Sequence, residues 1–327
     1  MSKVLVTGGA GFVGFFLVKK LLEGNNEIVL LDNLTRGRMD SEMENLILND
    51  KITFIQADLT DPKIFLSLDK DFDYIYHLAA VIGVKNVMDN PDKVLYVNAI
   101  STLNLIEFAK NIQNLKKILF SSTSEIYAGT LKHYGINIPT NEEVNLTLDD
   151  IKSPRTTYML SKMYGESIFY NYGRKYDIPF TIVRYHNVYG PRMGFLHVLP
   201  EMFIKVMNQE IVEVSSPEHT RAMCFVDDAV KMTIKSCESQ ITNNETINIG
   251  NEEQEISIIN LVKTISKVLG KEIKIKTLPD TEGSPSRRCP DISKIENLIN
   301  CSPIVDLEEG ISKTFEWYKD KLDNKYE

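Results

Sequence analysis

The sequence predicts a doubly wound α/β fold, a parallel sheet with helices on both faces, followed by a smaller mixed α/β unit. Three observations carry this. Short apolar runs of strand length recur through the first half, segments of helical periodicity lie between them, and the first run breaks into glycines that open a helix. Strands separated by helices of this length imply βαβ units, and hence parallel pairing with both faces covered. A length of 327 residues suits two domains, or one large α/β domain with an elaborated second half.

Val4–Val6 is a buried-strand pattern that ends in Gly8, Gly9 and Gly11, after which Phe12–Leu22 has a helical period. Ile28–Leu31 is the second strand, and a polar loop separates it from the third, Ile52–Ile55. Asp73–His77, Lys117–Phe120 and Thr181–Arg184 complete the strand candidates, with helices expected over about 91–111 and 155–176. After Pro191 the pattern loosens. Helical pieces at about 195–208, 227–237, 257–269 and 306–321 mix with short strands and a Gly-, Ser-, Pro- and Arg-containing loop at 279–290. We expect one domain over 1–185, joined by part of 224–250, and a second, discontinuous one over 186–327.

Composition narrows the function. Apolar residues at 43% and charged residues at 25% exclude global disorder. A net charge of −8 without a long basic run argues against nucleic acid and against anionic membrane surfaces. Cys224, Cys237, Cys289 and Cys301 show neither a C-x-x-C pair nor zinc spacing, so reduced thiols and no metal site are expected. The apolar stretch Phe12–Val18 is short and runs into Lys19–Lys20, unlike a secretion signal. No run approaches the ~20 residues of a spanning helix. The expectation is a soluble, cytoplasmic protein.

Thr7-Gly8-Gly9-Ala10-Gly11-Phe12-Val13-Gly14 follows the first strand and opens the first helix. A tight turn, close approach of backbone to a pyrophosphate and close helix–strand packing each require glycine at a different place. The helix N-terminus then offers free N–H groups and partial positive charge to the phosphates. A glycine turn alone would be commonplace, but this one has the strand–turn–helix context of a Rossmann dinucleotide site. Asp32 closes the second strand 18 residues after Gly14, where a carboxylate accepts both adenine-ribose hydroxyls and repels a 2′-phosphate. NAD is favoured, and the nearby Arg36 and Arg38 leave NADP open.

Tyr158 and Lys162 stand at i and i+4 in a helical region and so share one face. An ammonium there stabilises phenolate and lowers the tyrosine pKa toward working pH, as a general base requires. Such a pair alone is often a surface contact. Behind a dinucleotide loop, with Ser121-Ser122-Thr123 ending the Lys117–Phe120 strand, it reads as a proton relay acting on an alcohol. That strand end is where open α/β sheets bind ligands. His77 and His186 read as satisfied histidines near strand ends, and Phe169–Tyr172 as packing.

With these motifs in place, the sequence resembles the extended short-chain dehydrogenase/reductase family, in its nucleotide-sugar epimerase/dehydratase branch. The resemblance spans essentially the whole chain: Thr7–Gly14, Asp58-Leu59, His77–Ala80, Asn98, Ser122–Tyr127, Tyr158-x-x-x-Lys162, Arg184–Pro191, Arg221–Asp228 and Arg288–Asp291. It implies NAD held by Gly8, Gly11, Phe12, Val13, Gly14, Asp32, Asn33, Asp58, Leu59, Leu78, Ala79, Ala80, Asn98, Tyr158 and Lys162. It implies catalysis by Thr123, Tyr158 and Lys162 with Ser124 and Glu125, and a nucleotide-sugar substrate gripped by Asn187, Arg221 and Arg288. Guanidinium forks suit a diphosphate well. The resemblance also implies a homodimer, in which the Tyr-x-x-x-Lys helix and the helix before it form a four-helix bundle. Segment 91–111 carries Val94, Leu95, Val97, Ile100, Leu103, Leu105, Ile106 and Phe108, wider than one buried stripe needs.

Members of the branch begin by oxidising a sugar hydroxyl, usually at C4, and differ in the fate of the resulting ketone. Thr123-Ser124-Glu125 stands where dehydratases carry Thr-Asp-Glu, and a serine is a weak acid for a departing hydroxyl. The leading expectation is therefore C4 oxidation ending in epimerisation or release of the 4-keto sugar. Thr-Ser-Glu also resembles UDP-glucuronic acid decarboxylases, although Tyr158-Met-Leu-Ser-Lys162 departs from their Tyr-Asp-Glu-Gly-Lys. Decarboxylation and 4,6-dehydration are the alternatives. A non-catalytic NAD-binding sensor is the reading from another class, and the intact Thr123, Tyr158 and Lys162 argue against it.

Overall fold

A computed structural model describes residues 1–281 and 285–322. The first strands are β1 (Lys3–Thr7), β2 (Glu27–Asp32), β3 (Ile52–Gln56), β4 (Tyr74–His77), β5 (Lys117–Thr123) and β6 (Phe180–Tyr185). Between them run helices α1 (Phe12–Glu23), α2 (Ser41–Ile47), α3 (Val84–Asp89), α4 (Pro91–Ala109), α5 (Ala128–Tyr134) and α6 (Thr156–Tyr176). The second half holds β7 (Val188–Tyr189), α7 (Val198–Asn208), β8 (Ile211–Ser215), β9 (Thr220–Ala222), β10 (Cys224–Phe225) and α8 (Val226–Glu238). Then come β11 (Glu245–Ile249), β12 (Glu255–Ser257), α9 (Ile258–Leu269), β13 (Lys274–Leu278), β14 (Arg287–Arg288), α10 (Ser293–Ile299) and α11 (Leu307–Tyr318).

Seven strands form one parallel sheet in the order β11-β6-β5-β4-β1-β2-β3. The chain moves outward from β1 through β2 and β3, then returns to β4 on the other side, so β1 and β4 flank the switch point where such sheets bind ligands. Thr7 lies opposite His77, and Thr123 opposite Tyr185, so these strand ends share the carboxyl edge. Both faces are covered: Leu5, Ile75, Ile118 and Ile182 pack on one side, and Val4, Tyr76, Leu119 and Val183 on the other. β11 comes late in the chain yet pairs with β6, and α8 packs against α1, so residues 226–249 join the first unit.

The elements that periodicity missed are short. α2 lies in what reads as a polar loop, although Asp40 caps it through Met43 N at 3.0 Å. Helices of seven residues take their stability from tertiary packing, so their sequences need no long apolar period. The expected 279–290 loop contains β14, and its residues 282–284 lie outside the described residues. All four cysteines are free and buried. Among the described residues, no helix is long and apolar enough to cross a membrane.

Candidate active site

The glycines of the first turn leave no room for side chains. Gly8 holds φ +74°, and a Cβ there would stand 2.7 Å from Ala79 N, while a Cβ on Gly14 would collide with Gly8 O. The backbone can therefore approach a diphosphate, and α1 begins without a side-chain cap on its first N–H groups. This cradle fits a dinucleotide. Asp32 accepts from Ala10 N at 3.0 Å and Leu34 N at 2.8 Å. Burial raises its carboxyl, and those two bonds work against the rise. Asp58 accepts from the Thr60 N–H and hydroxyl, and Asn33 reaches it at 3.4 Å. Leu59 is buried beside them.

Asn98 lies behind the segment expected to wall the cofactor. Its amide accepts from Val81 N at 2.7 Å and donates to Val81 O at 3.1 Å and to Ser161 Oγ at 3.0 Å. It thereby ties the segment after Leu78, Ala79 and Ala80 to α4 and α6. Ser161 was not among the residues expected from sequence.

The residues expected to form the proton relay sit at the end of β5. The Thr123 hydroxyl accepts from Glu125 N at 3.3 Å and also acts on the Tyr158 hydroxyl, favouring its ionisation. Lys162 donates to Ser121 O at 2.7 Å and lies over the Phe120 ring at 4.9 Å. Burial pushes the Lys162 ammonium down to about 7, against the pull of Glu166. The expected lowering of the Tyr158 pKa is not what the structure has. Burial raises it, the Glu125 charge adds to the rise, and the Thr123 hydroxyl and Arg36 only oppose it. Desolvation of a phenolate outweighs a lysine that is itself easily deprotonated and turned to a carbonyl.

Glu125 receives both guanidinium nitrogens of Arg288, the second at 3.0 Å. Burial alone would raise the Glu125 carboxyl, but Arg288, Arg155 and Arg221 together hold it below its ordinary value. Ser124 is buried and lines a small cavity with His186 and Arg288. Arg221 donates to Thr220 O at 2.6 Å, and burial pushes its guanidinium down to about 10. Asn187, at φ +39°, reaches Ala222 O at 3.4 Å. Asn187 and Arg221 line a cavity of about 520 Å³ between α7 and β8, with His197, Glu213 and His219.

Glu166 is the main residue that the sequence reading missed. It stands four residues beyond Lys162 on the same face of α6, and that spacing could have found it. Its carboxylate holds Arg184 at 3.0 and 2.7 Å and accepts from Ser122 Oγ at 2.5 Å, directly behind Thr123. His77 is satisfied on both nitrogens, by Thr7 at 2.8 Å and Thr102 at 3.2 Å. His186 meets Asn248 at 3.2 Å, while its Nδ1 is left without a partner. Among the described residues there is no metal-ligand cluster.

The family model of the NAD dependent epimerase/dehydratase family matches residues 4–250. The chain is 32% identical to UDP-glucuronic acid decarboxylase 1 of Xenopus tropicalis over 326 residues, covering 99% of this chain and 73% of that one. It is 30% identical to the UDP-N-acetyl-alpha-D-glucosaminuronate decarboxylase of Bacillus cytotoxicus, covering 98% of both. A solved UDP-N-acetylglucosamine 4-epimerase from Methanobrevibacter ruminantium M1, in complex with UDP-N-acetylmuramic acid, superposes with TM-score 0.85 at 30% identity. It covers 98% of this chain and 99% of that one. With its glycine cradle, strand-end hydroxyl and Tyr-x-x-x-Lys helix on a seven-stranded parallel sheet, the chain belongs to the NAD dependent epimerase/dehydratase family and takes NAD as its cofactor.

Proposed function

We propose that the chain is a nucleotide-sugar decarboxylase that oxidises C4 of a nucleotide-linked uronic acid and releases its carboxyl group as carbon dioxide. The observation that carries this reading is the Glu125–Arg288 pair, with Arg155 and Arg221 acting on the same carboxylate. Three guanidinium groups face one carboxylate at the sugar end. The surplus of positive charge suits a substrate that brings a carboxylate in addition to its diphosphate. Elimination of water needs a base at C5 and an acid at C6. Glu125 is held ionised and Ser124 is too weak an acid, so dehydration lacks its donor.

In this reading Tyr158 takes the proton of the C4 hydroxyl while Thr123 holds the phenolic oxygen in place. When bound, NAD supplies the hydride acceptor at C4 and later returns the hydride. The ketone stands β to the C6 carboxylate. The C5–C6 bond then breaks, its electron pair passes to the C4 oxygen as an enolate, and a proton from solvent enters at C5. Residues 186–225, 250–281 and 285–322 form the proposed substrate unit, with Asn187 and Arg221 on the nucleotide diphosphate.

The M. ruminantium neighbour supports a second reading, 4-epimerisation, in which the ketone is reduced from its other face. Incubation with UDP-glucuronic acid, UDP-N-acetylglucosaminuronic acid and UDP-N-acetylglucosamine, followed by mass spectrometry and NMR of the products, separates the two. A product lighter than its uronic acid substrate by one carbon dioxide is expected. Unchanged uronic acids beside a 4-epimer of UDP-N-acetylglucosamine would replace decarboxylation with epimerisation, and loss of water would overturn the Ser124 argument.

A further inference from the structure

Arginines near the site are mostly paired. Arg184, Arg192, Arg287 and Arg288 hold Glu166, Asp40, Glu255 and Glu125. Arg36 differs: among the described residues it makes no ion pair and no hydrogen bond. The stem belongs to a turn pinned on the phosphate loop, where Asp32 binds Ala10 N and Leu34 N, and Arg38 N donates to Ala10 O at 3.3 Å. A Cβ on Gly37 would stand 2.7 Å from Ala10 Cβ and 2.9 Å from Asp32 Oδ1, so the turn cannot lift without losing close packing. The head of Arg36 reaches Gly83, at the start of α3. Its Nη1 and Nη2 stand 3.8 and 3.9 Å from where a Cβ on Gly83 would be. It is also close enough to act electrostatically on Tyr158 and on His197.

Asp32 marks the adenine-ribose end of the cofactor cleft, and Tyr158 marks the hydride-transfer end. A dinucleotide carries its diphosphate between those ends. We propose that Arg36 is an anion clamp for the cofactor, its guanidinium gripping the diphosphate that the Gly8–Gly14 backbone and the N-terminus of α1 receive from below. The proposal rests on the NAD assignment and adds a residue to it. It also reassigns Arg36 from reading a 2′-phosphate to reading the diphosphate. Arg38 is already engaged, its guanidinium lying 5.1 Å from the centre of the Phe195 ring. Guanidinium chemistry suits this role, because a planar fork binds phosphate oxygens with two charge-assisted hydrogen bonds. A chain of net charge −8 otherwise repels an anion approaching from a distance.

The test is equilibrium binding of NAD, NADP, ADP and adenosine to wild type, Arg36→Gln and Arg36→Lys by calorimetry. Arg36→Gln is expected to weaken NAD and ADP by about 10–100-fold while leaving adenosine unchanged, with partial recovery in Arg36→Lys. NAD and ADP affinities within twofold of wild type would overturn the clamp. So would an equal loss for adenosine, which would mark a merely structural turn, or a loss confined to NADP, which would return Arg36 to the 2′-phosphate. Wild-type protein that binds neither ADP nor NAD would remove the cofactor assignment itself, and the clamp with it.

Discussion

Tyr158 stands between a hydroxyl that favours its ionisation and a carboxylate that opposes it. Tyr158→Phe keeps the ring and removes the ionisable oxygen, so turnover is expected to fall by 10²–10⁴-fold with NAD affinity nearly unchanged. Retention of more than a tenth of wild-type turnover would exclude Tyr158 as the base. Thr123→Val removes the hydroxyl that, with Arg36, opposes the rise of the Tyr158 pKa. It is therefore expected to move the ascending limb of the pH–kcat profile to higher pH, with KM little changed. A profile that keeps its midpoint would show that Thr123 serves only to shape the strand end. The spacing of Tyr158 and Lys162 made the pair legible from sequence. Its ionisation was not, because the direction of a pKa shift depends on how deeply the groups are buried.

At the scale of elements, α6 presents Tyr158, Lys162 and Glu166 on one face and uses the last to lock Arg184 of β6. The pair is buried, with side-chain exposures of 5% and 6%, so losing one partner strands a charge. Glu166→Ala is expected to destabilise the fold by about 3–5 kcal/mol, read from urea denaturation. A loss below 1 kcal/mol would mean that water or Tyr127 takes over the guanidinium. α4 packs on α6, yet it leaves Leu95 and Tyr96 exposed, as α6 leaves Tyr164. The homodimer implied by the resemblance would cover these side chains. Light scattering at micromolar concentration should give twice the chain mass, and Leu95→Glu with Tyr96→Glu should give a monomer. A monomeric wild type would sink the dimer.

For the molecule as a whole, two buried histidines add to the response to acid that the paired carboxylates give. Burial pushes both His77 and His186 down to about 3 from 6.5. Below about 6.5 the unfolded chain takes up these protons and the folded chain does not, so stability falls as the pH drops from about 6.5 toward 3. The urea midpoint is expected to decline over that range, and the decline to shrink in the His77→Gln, His186→Gln double variant. An unchanged slope in that variant would assign the acid response to other groups. The sequence by itself determined the wound sheet, the phosphate turn, Asp32 and the Tyr158–Lys162 helix face. Each is a local property, written in glycine positions, apolar period and i, i+4 spacing. Only the tertiary structure decided which charges meet. Arg288 reaches Glu125 across 163 residues of chain, Arg36 acts electrostatically on Tyr158, and Lys162 turns to a backbone carbonyl. Electrostatic partners are chosen by distance and desolvation after the chain has closed on itself, and no local pattern encodes either quantity.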